Sequence, residues 1–421
     1  MARLPRMILG PWMVVAALSL VACLNYLARN MVTTMHGSLV AAIPMSEAQF
    51  GLLTSAFLCV YGAMSPFAGF LSDRFGRTRV IVTALLVWSA VTWLTAYAGT
   101  FRQLLVMRIL MALSEVCYMP AGMALIVDYH RSKTRGLAVG VHQAALAFGG
   151  MFASIGGWLA EDHGWRYAFI AVGMPSLIYG LLLACVLRDV PREGAESAAG
   201  ADPAPHPRFG TAVASLLGNG SYLLLLACTI CVDGFSWIMV GWMPTYMREH
   251  FGLGQGAAGF SATGYITVAF MLGLILGGMW SDRWGLTNRR GRIFVSVVGL
   301  LVATPGLLVA AHTASLAMAV GGLLVLGLFR AFWSANIMPI FCLISNPRYR
   351  ATGYGMINTA STFTGGLGIY LAGVLRDHHV NFSNVFNIMV AGQLIAAGLL
   401  LLIRLDHSST LIRPLAATAP A

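Results

Sequence analysis

The chain has 421 residues, of which 58% are hydrophobic and only 10% are charged. Roughly a quarter of the residues of a soluble globular protein are charged, so this composition excludes an ordinary soluble domain and indicates a membrane protein. The net charge of +11 would suggest a nucleic-acid partner in a soluble protein. In a membrane protein it reports how the loops are distributed across the bilayer.

Apolar runs of about 20 residues or more, long enough for a helix to cross about 30 Å of hydrocarbon, follow one another with short polar breaks. We therefore predict an all-α membrane protein with twelve transmembrane helices. The predicted spans are 9–31, 47–71, 78–98, 102–127, 135–159, 166–187, 220–246, 256–281, 292–312, 316–343, 350–374 and 384–404.

Most of the Lys and Arg residues fall in the loops on one side of these spans, the side that also holds both termini. By the positive-inside rule, we expect both termini in the cytoplasm. The strong excess of Arg over Lys favours a bacterial source, so we expect a multi-pass protein of the inner membrane.

One long polar segment, rich in Ala, Gly, Pro and charge, divides the chain. We predict an N-terminal six-helix bundle at 1–188, a cytoplasmic linker at 189–214, a C-terminal six-helix bundle at 215–406 and a tail at 407–421. The halves also repeat, because glycines recur five and fifteen residues after both Arg135 and Arg350. Gln143 and Asn358 take corresponding positions in this repeat.

The turn between the second and third spans reads GFLSDRFGRTR, from Gly69 to Arg79, and GMWSDRWG echoes it from Gly278 to Gly285. An acid and several arginines at a membrane edge can pair with each other and with helix ends, which holds two helices in one arrangement. We call the following residues the latch: Gly69, Asp73, Arg74, Gly76, Arg77, Asp282 and Arg283.

The latch resembles the signature loop of the major facilitator superfamily. The resemblance implies two pseudo-symmetric six-helix bundles that move a solute by alternating access, with the latch holding one of the two states.

Apart from charged residues at the ends of the spans, five are predicted to lie deeper in the membrane: Arg29, Arg108, Glu115, Asp233 and Arg330. A charge at the centre of a membrane helix costs about 2.5 to 3.5 kcal/mol even on the lenient scale, so these residues should face a cavity or each other. No acid lies one turn from Arg29 in its own helix, so we expect Arg29 to be an unneutralised cation.

Arg108 and Glu115 are seven residues apart and share a helix face. They either serve the transport site or form a fixed ion pair that only holds helices together. In the internal repeat Glu115 corresponds to Arg330, so we expect these opposite charges to face a shared centre near the middle of the membrane, where transporters built from repeats bind substrate.

Arginine recognises a carboxylate through a planar fork and stays charged, whereas a partly buried carboxylate can gain and lose a proton. We therefore expect Arg29 to bind an anion and Glu115 to carry a proton. His142 is a second candidate for proton transfer, or a packed and hydrogen-bonded histidine. Trp242 is a candidate for the lining of the cavity.

Four features together resemble the anion:cation symporter family: NYLARN at residues 25–30, the spacing of Arg108, Glu115 and Pro120, WMPTY at residues 242–246, and Asn358. The resemblance implies transport of organic anions such as sugar acids with protons. It further implies that Tyr26, Arg29 and Asn358 contact substrate and that Glu115 carries the proton.

The family commonly has an acid immediately before the arginine of the first span, and this chain has Ala28. The proton stoichiometry is therefore open. Asp233 is a candidate to replace the missing acid, on the basis of its position alone.

The predicted function is proton-coupled import of a small organic anion by a monomer in the lipid bilayer, without cofactor or metal. The alternatives are organophosphate exchange, which Asp233 opposes by repelling a dianion, and drug efflux. The sequence carries no nucleophile motif, metal-ligand set or phosphate loop, so we do not expect an enzyme or a nucleic-acid partner.

Overall fold

The computed structural model describes residues 9–130, 132–188, 209–345 and 350–405, without the side chains of 66, 69–73, 132–133, 135–136, 209, 212 and 350–351. Within these ranges the chain is helical and contains no strand. The all-α prediction is therefore confirmed.

The first half of the chain, here called the N half, contains nine helices in the described ranges. They are α1 Pro11–Thr34, α2 His36–Ala42, α3 Glu47–Phe75, α4 Arg77–Thr95, α5 Phe101–Glu115, α6 Tyr118–Tyr129, α7 Ser132–Phe152, α8 Ile155–His163 and α9 Trp165–Val186.

The second half, here called the C half, contains eight α-helices and one short π-helix in the described ranges. They are α10 Phe209–Leu217, α11 Gly220–Thr229, the π-helix Ile230–Gly234, α12 Phe235–Phe251, α13 Gln255–Thr287, α14 Gly291–His312, α15 Leu316–Ile344, α16 Arg350–Asp377 and α17 Phe382–Leu402. The predicted linker lies mostly outside the described residues, so the domain boundaries stay a prediction.

In the described ranges, eleven helical segments are long and apolar enough to cross a membrane. They correspond to the predicted spans except the eleventh, which is α16. This helix has 28 residues, but its Thr, Ser, Asn and Gly residues lower its mean hydropathy. A helix that faces other helices rather than lipid tolerates this polarity.

Two irregular segments hold the intramembrane acids. Glu115 is the last residue of α5, and two residues separate it from α6. Asp233 lies within the π-helix that joins α11 to α12. Single-turn π segments are frequent at functional sites because they redirect side chains and leave backbone groups available.

The two halves contact each other along α3 and α16, which run antiparallel. A Cβ at Gly373 would lie 2.5 Å from the carbonyl oxygen of Glu47, and a Cβ at Gly51 would lie 2.8 Å from that of Ile369. Glycine is therefore required for the observed approach of the two backbones. A similar approach joins α13 to the N half, where a Cβ at Gly259 would lie 2.8 Å from Thr34 Cγ2.

Polar contacts between the halves cluster at the end opposite the termini, which we call the closed end. Glu47 Oε2 lies 2.9 Å from His36 Nε2 and 3.0 Å from Arg376 Nε of the C half. Asp377 accepts hydrogen bonds from the backbone N–H groups of Glu47 at 2.8 Å and Ala48 at 2.9 Å.

Slight burial of the Asp377 carboxylate opposes its ionisation, but these two N–H donors outweigh that effect and lower the pKa of Asp377. The donors belong to the first turn of α3, where a carboxylate is favourable. Asp377 therefore fastens α16 of one half to α3 of the other.

Candidate functional site

The centre of the N half is an ion pair between α1 and α5. Arg29 Nε and Nη2 donate to Glu115 Oε2 at 3.1 and 3.0 Å, and both side chains are buried. The expectation that Arg29 is an unneutralised cation is therefore wrong. Its partner comes from another helix, which the spacing within α1 could not reveal.

Three aromatic rings surround the same guanidinium. Arg29 Cζ lies 4.7 Å from the ring centre of Tyr26, 4.8 Å from that of Phe57 and 4.6 Å from that of Tyr61. Sequence reasoning found Tyr26 but missed Phe57 and Tyr61. Their spacing of four residues on one face of α3 was the available signal. These cation–π contacts hold the Arg29 guanidinium in addition to its ion pair.

Arg108 does not pair with Glu115. Its Nε donates to the carbonyl oxygen of Leu53 at 3.2 Å, and its Nη2 donates to the carbonyl oxygen of Arg29 at 3.2 Å. In the part of the chain that the structure describes, these donors meet backbone carbonyls and not Glu115, although the two charges lie within electrostatic range of each other. The fixed Arg108–Glu115 pair is therefore corrected: Arg108 ties α5 to the backbones of α1 and α3.

Beside this pair lie buried polar atoms without a hydrogen bond among the described residues. They are Glu115 Oε1 and both polar atoms of the Asn25 side chain, which meet no strict hydrogen-bond geometry although Asn25 lies close enough to Glu115 for a weak polar interaction. Unsatisfied buried polar groups are rare and costly, so they are usually retained for a function. Only one carboxylate oxygen of Glu115 is thus occupied by Arg29.

The C half holds a second ion pair. Arg330 Nη1 on α15 lies 3.5 Å from Asp233 Oδ1 and donates to Ser236 Oγ at 2.7 Å. Trp333 Nε1 also donates to Asp233 Oδ1, at 3.2 Å. The side chains of Arg330 and Asp233 remain 19% and 23% exposed, whereas the Glu115 side chain is fully buried.

The two pairs have opposite charge order. In the N half the base is on the first span and the acid on the fourth, whereas in the C half the acid is on the seventh and the base on the tenth. We expected Glu115 and Arg330 to face a shared centre, and the structure pairs each of them with an opposite charge of its own half. Neutralisation inside each half removes the need for a partner across the centre.

Tyr354 lies in the region of both pairs, and sequence reasoning missed it. It lies on α16 and is 46% exposed. It is within electrostatic range of both Asp233 of its own half and Tyr26 of the other half. Asn358 lies one turn further along α16 and is partly exposed, and Gln143 on α7 is exposed.

Trp242 does not lie at this centre. Its side chain is fully buried, its Nε1 donates to the carbonyl oxygen of Ile369 at 3.0 Å, and its ring packs against Phe50 and Phe382. These contacts belong to the closed end. Trp242 is thus a packing residue in this conformation, and its contact with substrate stays a prediction.

His142 lies in the core of the N half. Tyr118 OH donates to the carbonyl oxygen of Leu18 at 2.6 Å and lies 2.8 Å from His142 Nε2. Since the tyrosine proton is used by Leu18, His142 Nε2 acts as the donor in the second bond. This geometry matches the packed and hydrogen-bonded alternative for His142.

The latch lies at the end of the helices that is nearer the termini. The turn between α3 and α4 needs a glycine, since Gly76 has φ +86°. Arg77 pairs with Asp128 and donates to the carbonyl oxygen of Ala124 at 2.8 Å. Arg74 is exposed, and the burial of Gly69 and the side chain of Asp73 lie outside what the structure describes.

In the C-half copy of the latch, Asp282 pairs with Arg292 at 2.6 Å. Arg290 donates to the carbonyl oxygens of Leu401 and Ile403 at 2.5 and 3.3 Å, at the end of α17. Arg283 is exposed. Each copy thus joins an arginine to an acid within one half.

Metal-ligating side chains do not cluster in the part of the chain that the structure describes. No group of three or more His, Cys, Asp or Glu residues there could hold a metal ion.

Comparison with known proteins identifies the family. The sequence profile of the Major Facilitator Superfamily matches residues 18–369, which is most of the chain. The chain therefore belongs to this superfamily of membrane transporters, and the resemblance drawn from the latch and the span pattern is confirmed at this level. The prediction that the chain is not an enzyme is likewise confirmed.

Similar curated proteins include three transporters. A "MFS-type efflux pump" of Mycolicibacterium smegmatis is 25% identical over 87% of this chain and 84% of its own length. The "Probable sulfoacetate transporter SauU" of Cupriavidus necator is 26% identical over 85% and 84%. The "Probable galactarate/D-glucarate transporter GarP" of Escherichia coli is 26% identical over 70% and 72%.

Solved structures show the same fold. A bacterial homologue of the human lysosomal transporter Spinster, described as inward-facing and unoccupied, aligns with a TM-score of 0.74 at 20% identity over 93% of this chain and 95% of its own. A point mutant of the nucleoside transporter NupG aligns with a TM-score of 0.76 at 13% identity over 93% and 99%. The major facilitator fold predicted from sequence is therefore confirmed.

Proposed function

We propose that this protein imports a small organic anion, a carboxylate or sugar acid, together with protons by alternating access. The observation that carries the proposal is the buried Arg29–Glu115 pair. Arg29 is the natural partner for a substrate carboxylate because its fork matches two oxygens, yet in this conformation Glu115 occupies that fork.

Substrate and Glu115 therefore compete for one cation. When Glu115 takes a proton it loses its charge, and Arg29 becomes free to hold the substrate carboxylate. When the substrate leaves, Glu115 releases its proton and pairs with Arg29 again. Because the charge of Arg29 can be neutralised by only one of the two anions, one proton is taken up with each carboxylate bound.

The closed end is the part of the structure that must open during the transport cycle. If the termini are cytoplasmic, as the distribution of arginines predicts, the contacts at the closed end shut this conformation on the outside, and we propose that it is the inward-facing one. Opening outward separates α3 from α16 and breaks the contacts of Asp377 and Arg376. We propose that the latch then holds the cytoplasmic ends together in the outward-facing state.

The remaining assignments follow the same proposal. Tyr26, Gln143, Asn358 and Arg330 complete the substrate site around the two pairs, and Arg108 positions Arg29. The protein acts as a monomer in a bacterial inner membrane. Two relatives are named as transporters of sulfoacetate and of galactarate or D-glucarate. These substrates are organic dianions, so they support transport of an organic anion without indicating which charge this chain prefers.

Efflux is the second candidate. One relative is named an efflux pump, and the partly exposed Asp233 would suit a cationic drug. A lipophilic cation would gain nothing from Arg29, however, so the two functions predict different ligands.

The test is a thermal-shift screen of the purified protein against carboxylates and lipophilic cations, followed by uptake into proteoliposomes with an inward pH gradient. A ligand that binds only the folded state raises the melting temperature by mass action. We expect carboxylates to stabilise the protein and to accumulate uphill. Stabilisation by lipophilic cations alone would overturn the proposal in favour of efflux.

A further inference from the structure

We propose that Asp233 makes this transporter selective for monoanions, because it neutralises the arginine that would otherwise hold a second carboxylate. The inference rests on the proposed function, in which Arg29 receives the first carboxylate. It assigns to the Asp233–Arg330 pair a role in substrate choice that is separate from the coupling role of Glu115.

The geometry of the C half supports a fixed pair. A single oxygen of Asp233, Oδ1, faces two donors, Arg330 Nη1 at 3.5 Å and Trp333 Nε1 at 3.2 Å. Arg330 is held in place independently by Ser236 Oγ at 2.7 Å and by the ring of Phe270, whose centre lies 5.0 Å from Arg330 Cζ. Arg330 therefore keeps its position whether or not Asp233 is charged.

The pair is also open to a solute, because the Asp233 and Arg330 side chains are partly exposed, unlike that of Glu115. Tyr354 lies within electrostatic range of both Asp233 and Tyr26, and the Tyr26 ring packs on the Arg29 guanidinium. In this proposal, a solute that is bound to Arg29 lies along this line of residues, with its far end toward Asp233.

The charge of Asp233 then decides which chemical groups the site accepts at the end of the solute that lies far from Arg29. A hydroxyl at the far end of the solute can donate a hydrogen bond to the carboxylate. A second carboxylate on the solute would instead meet the negative charge of Asp233, while the charge of Arg330 is already neutralised by Asp233. Like charges at a few ångströms repel strongly in a site of low dielectric. Removing the charge of Asp233 leaves Arg330 as a free and already positioned anion site.

The variant that isolates this effect is Asp233→Asn. Asparagine keeps the shape and an oxygen that accepts from Trp333, and Ser236 still holds Arg330. A double variant, Asp233→Asn with Arg330→Gln, removes the cation that the single variant exposes. Asp162→Asn, at an exposed position of α8, controls for the loss of one negative charge.

Binding is measured for matched monoanions and dianions on one carbon skeleton: gluconate with glucarate, galactonate with galactarate, and butyrate with succinate. Equilibrium dissociation constants are taken from purified protein that is monodisperse and melts cooperatively. The quantity compared is the ratio of dianion to monoanion affinity, since a general loss of stability or of Arg29 binding leaves that ratio unchanged.

We expect the wild type and Asp162→Asn to prefer the monoanion of each bound pair. Asp233→Asn should shift the ratio toward the dianion by at least tenfold, which is about 1.4 kcal/mol, and the double variant should lose this gain. A ratio within about twofold of wild type in folded Asp233→Asn, or a wild type that prefers dianions, overturns this inference and leaves the proposed function standing. If the wild type binds no carboxylate of either charge, the proposed function fails and this inference fails with it.

Discussion

Substitution of Glu115 by glutamine tests the coupling step directly. Glutamine keeps the shape of the side chain and an oxygen that accepts from Arg29, but it cannot ionise. If Glu115 carries the proton, Glu115→Gln should abolish uphill uptake driven by a pH gradient and should retain exchange between loaded proteoliposomes, because exchange needs no net proton movement.

The expected change in stability follows from the contacts of Arg29. Removing one partner of a buried ion pair costs about 3 to 5 kcal/mol. Here the loss is smaller, because the glutamine oxygen remains as an acceptor and three aromatic rings lie 4.6 to 4.8 Å from Arg29 Cζ, with each cation–π contact contributing about 0.5 to 2 kcal/mol. We expect a net destabilisation of about 1 to 3 kcal/mol. Binding of the substrate carboxylate to Arg29, whose charge is no longer neutralised by Glu115, should restore the lost stability.

Binding affinity gives the sharpest measurement. If one proton is taken up with each anion, the wild-type affinity changes by up to about tenfold per pH unit where Glu115 titrates, whereas the affinity of Glu115→Gln should be independent of pH. Three assays on the same preparation are needed: pH-dependent binding, exchange, and uphill uptake. Undiminished proton-driven accumulation by Glu115→Gln would eliminate Glu115 as the coupling residue. Parallel loss of exchange and accumulation with a large fall in melting temperature would indicate a structural ion pair instead.

Three further predictions concern the anion contact, the latch and the closed end. Arg29→Lys keeps the charge but loses the planar fork, so we expect substrate affinity to fall by at least tenfold, and near-normal binding would contradict bidentate recognition. Asp73→Asn should slow transport while equilibrium binding stays within a few fold, and complete loss of binding in the folded variant would refute its assignment to the latch. Asp377→Asn removes the charge that fastens α16 to α3, so labelling of a single cysteine placed at the closed end should increase a few fold. Because the pKa of Asp377 is lowered in this contact, the contact is fully stabilising above the ordinary Asp pKa of about 4 and is lost as the pH falls further. Labelling that is unchanged in the variant would contradict this role.

The sequence alone determined the class of protein, the helices and the depth of the charged residues in the membrane. Long apolar runs can only satisfy their backbone groups in lipid as helices, so composition fixes the architecture before any contact is known. The latch motif and the repeat of glycines then indicated the superfamily. Arg29, Glu115, Asp233 and Arg330 were recognisable because charges within a span are expensive and therefore retained for a purpose.

Only the tertiary structure decided which charges meet. Spacing along one helix reports neighbours on the same face, and it therefore suggested that Glu115 belongs with Arg108 and that Arg29 is free. The partner of Arg29 comes from another helix, and so does that of Arg330. No periodicity within α1 or α15 encodes those distances, since they depend on how the helices pack and rotate against each other.

The same reason explains the residues that were missed or misplaced. Tyr354 lies on α16, within electrostatic range of Asp233 in its own half and Tyr26 in the other, whereas Trp242 is buried at the closed end in this conformation. Both are aromatic residues in spans, and their sequence contexts do not distinguish them. Which aromatic residues are exposed between the halves depends on the conformation. In a transporter that alternates between two conformations, this exposure is set by how the halves pack against each other and not by either helix alone.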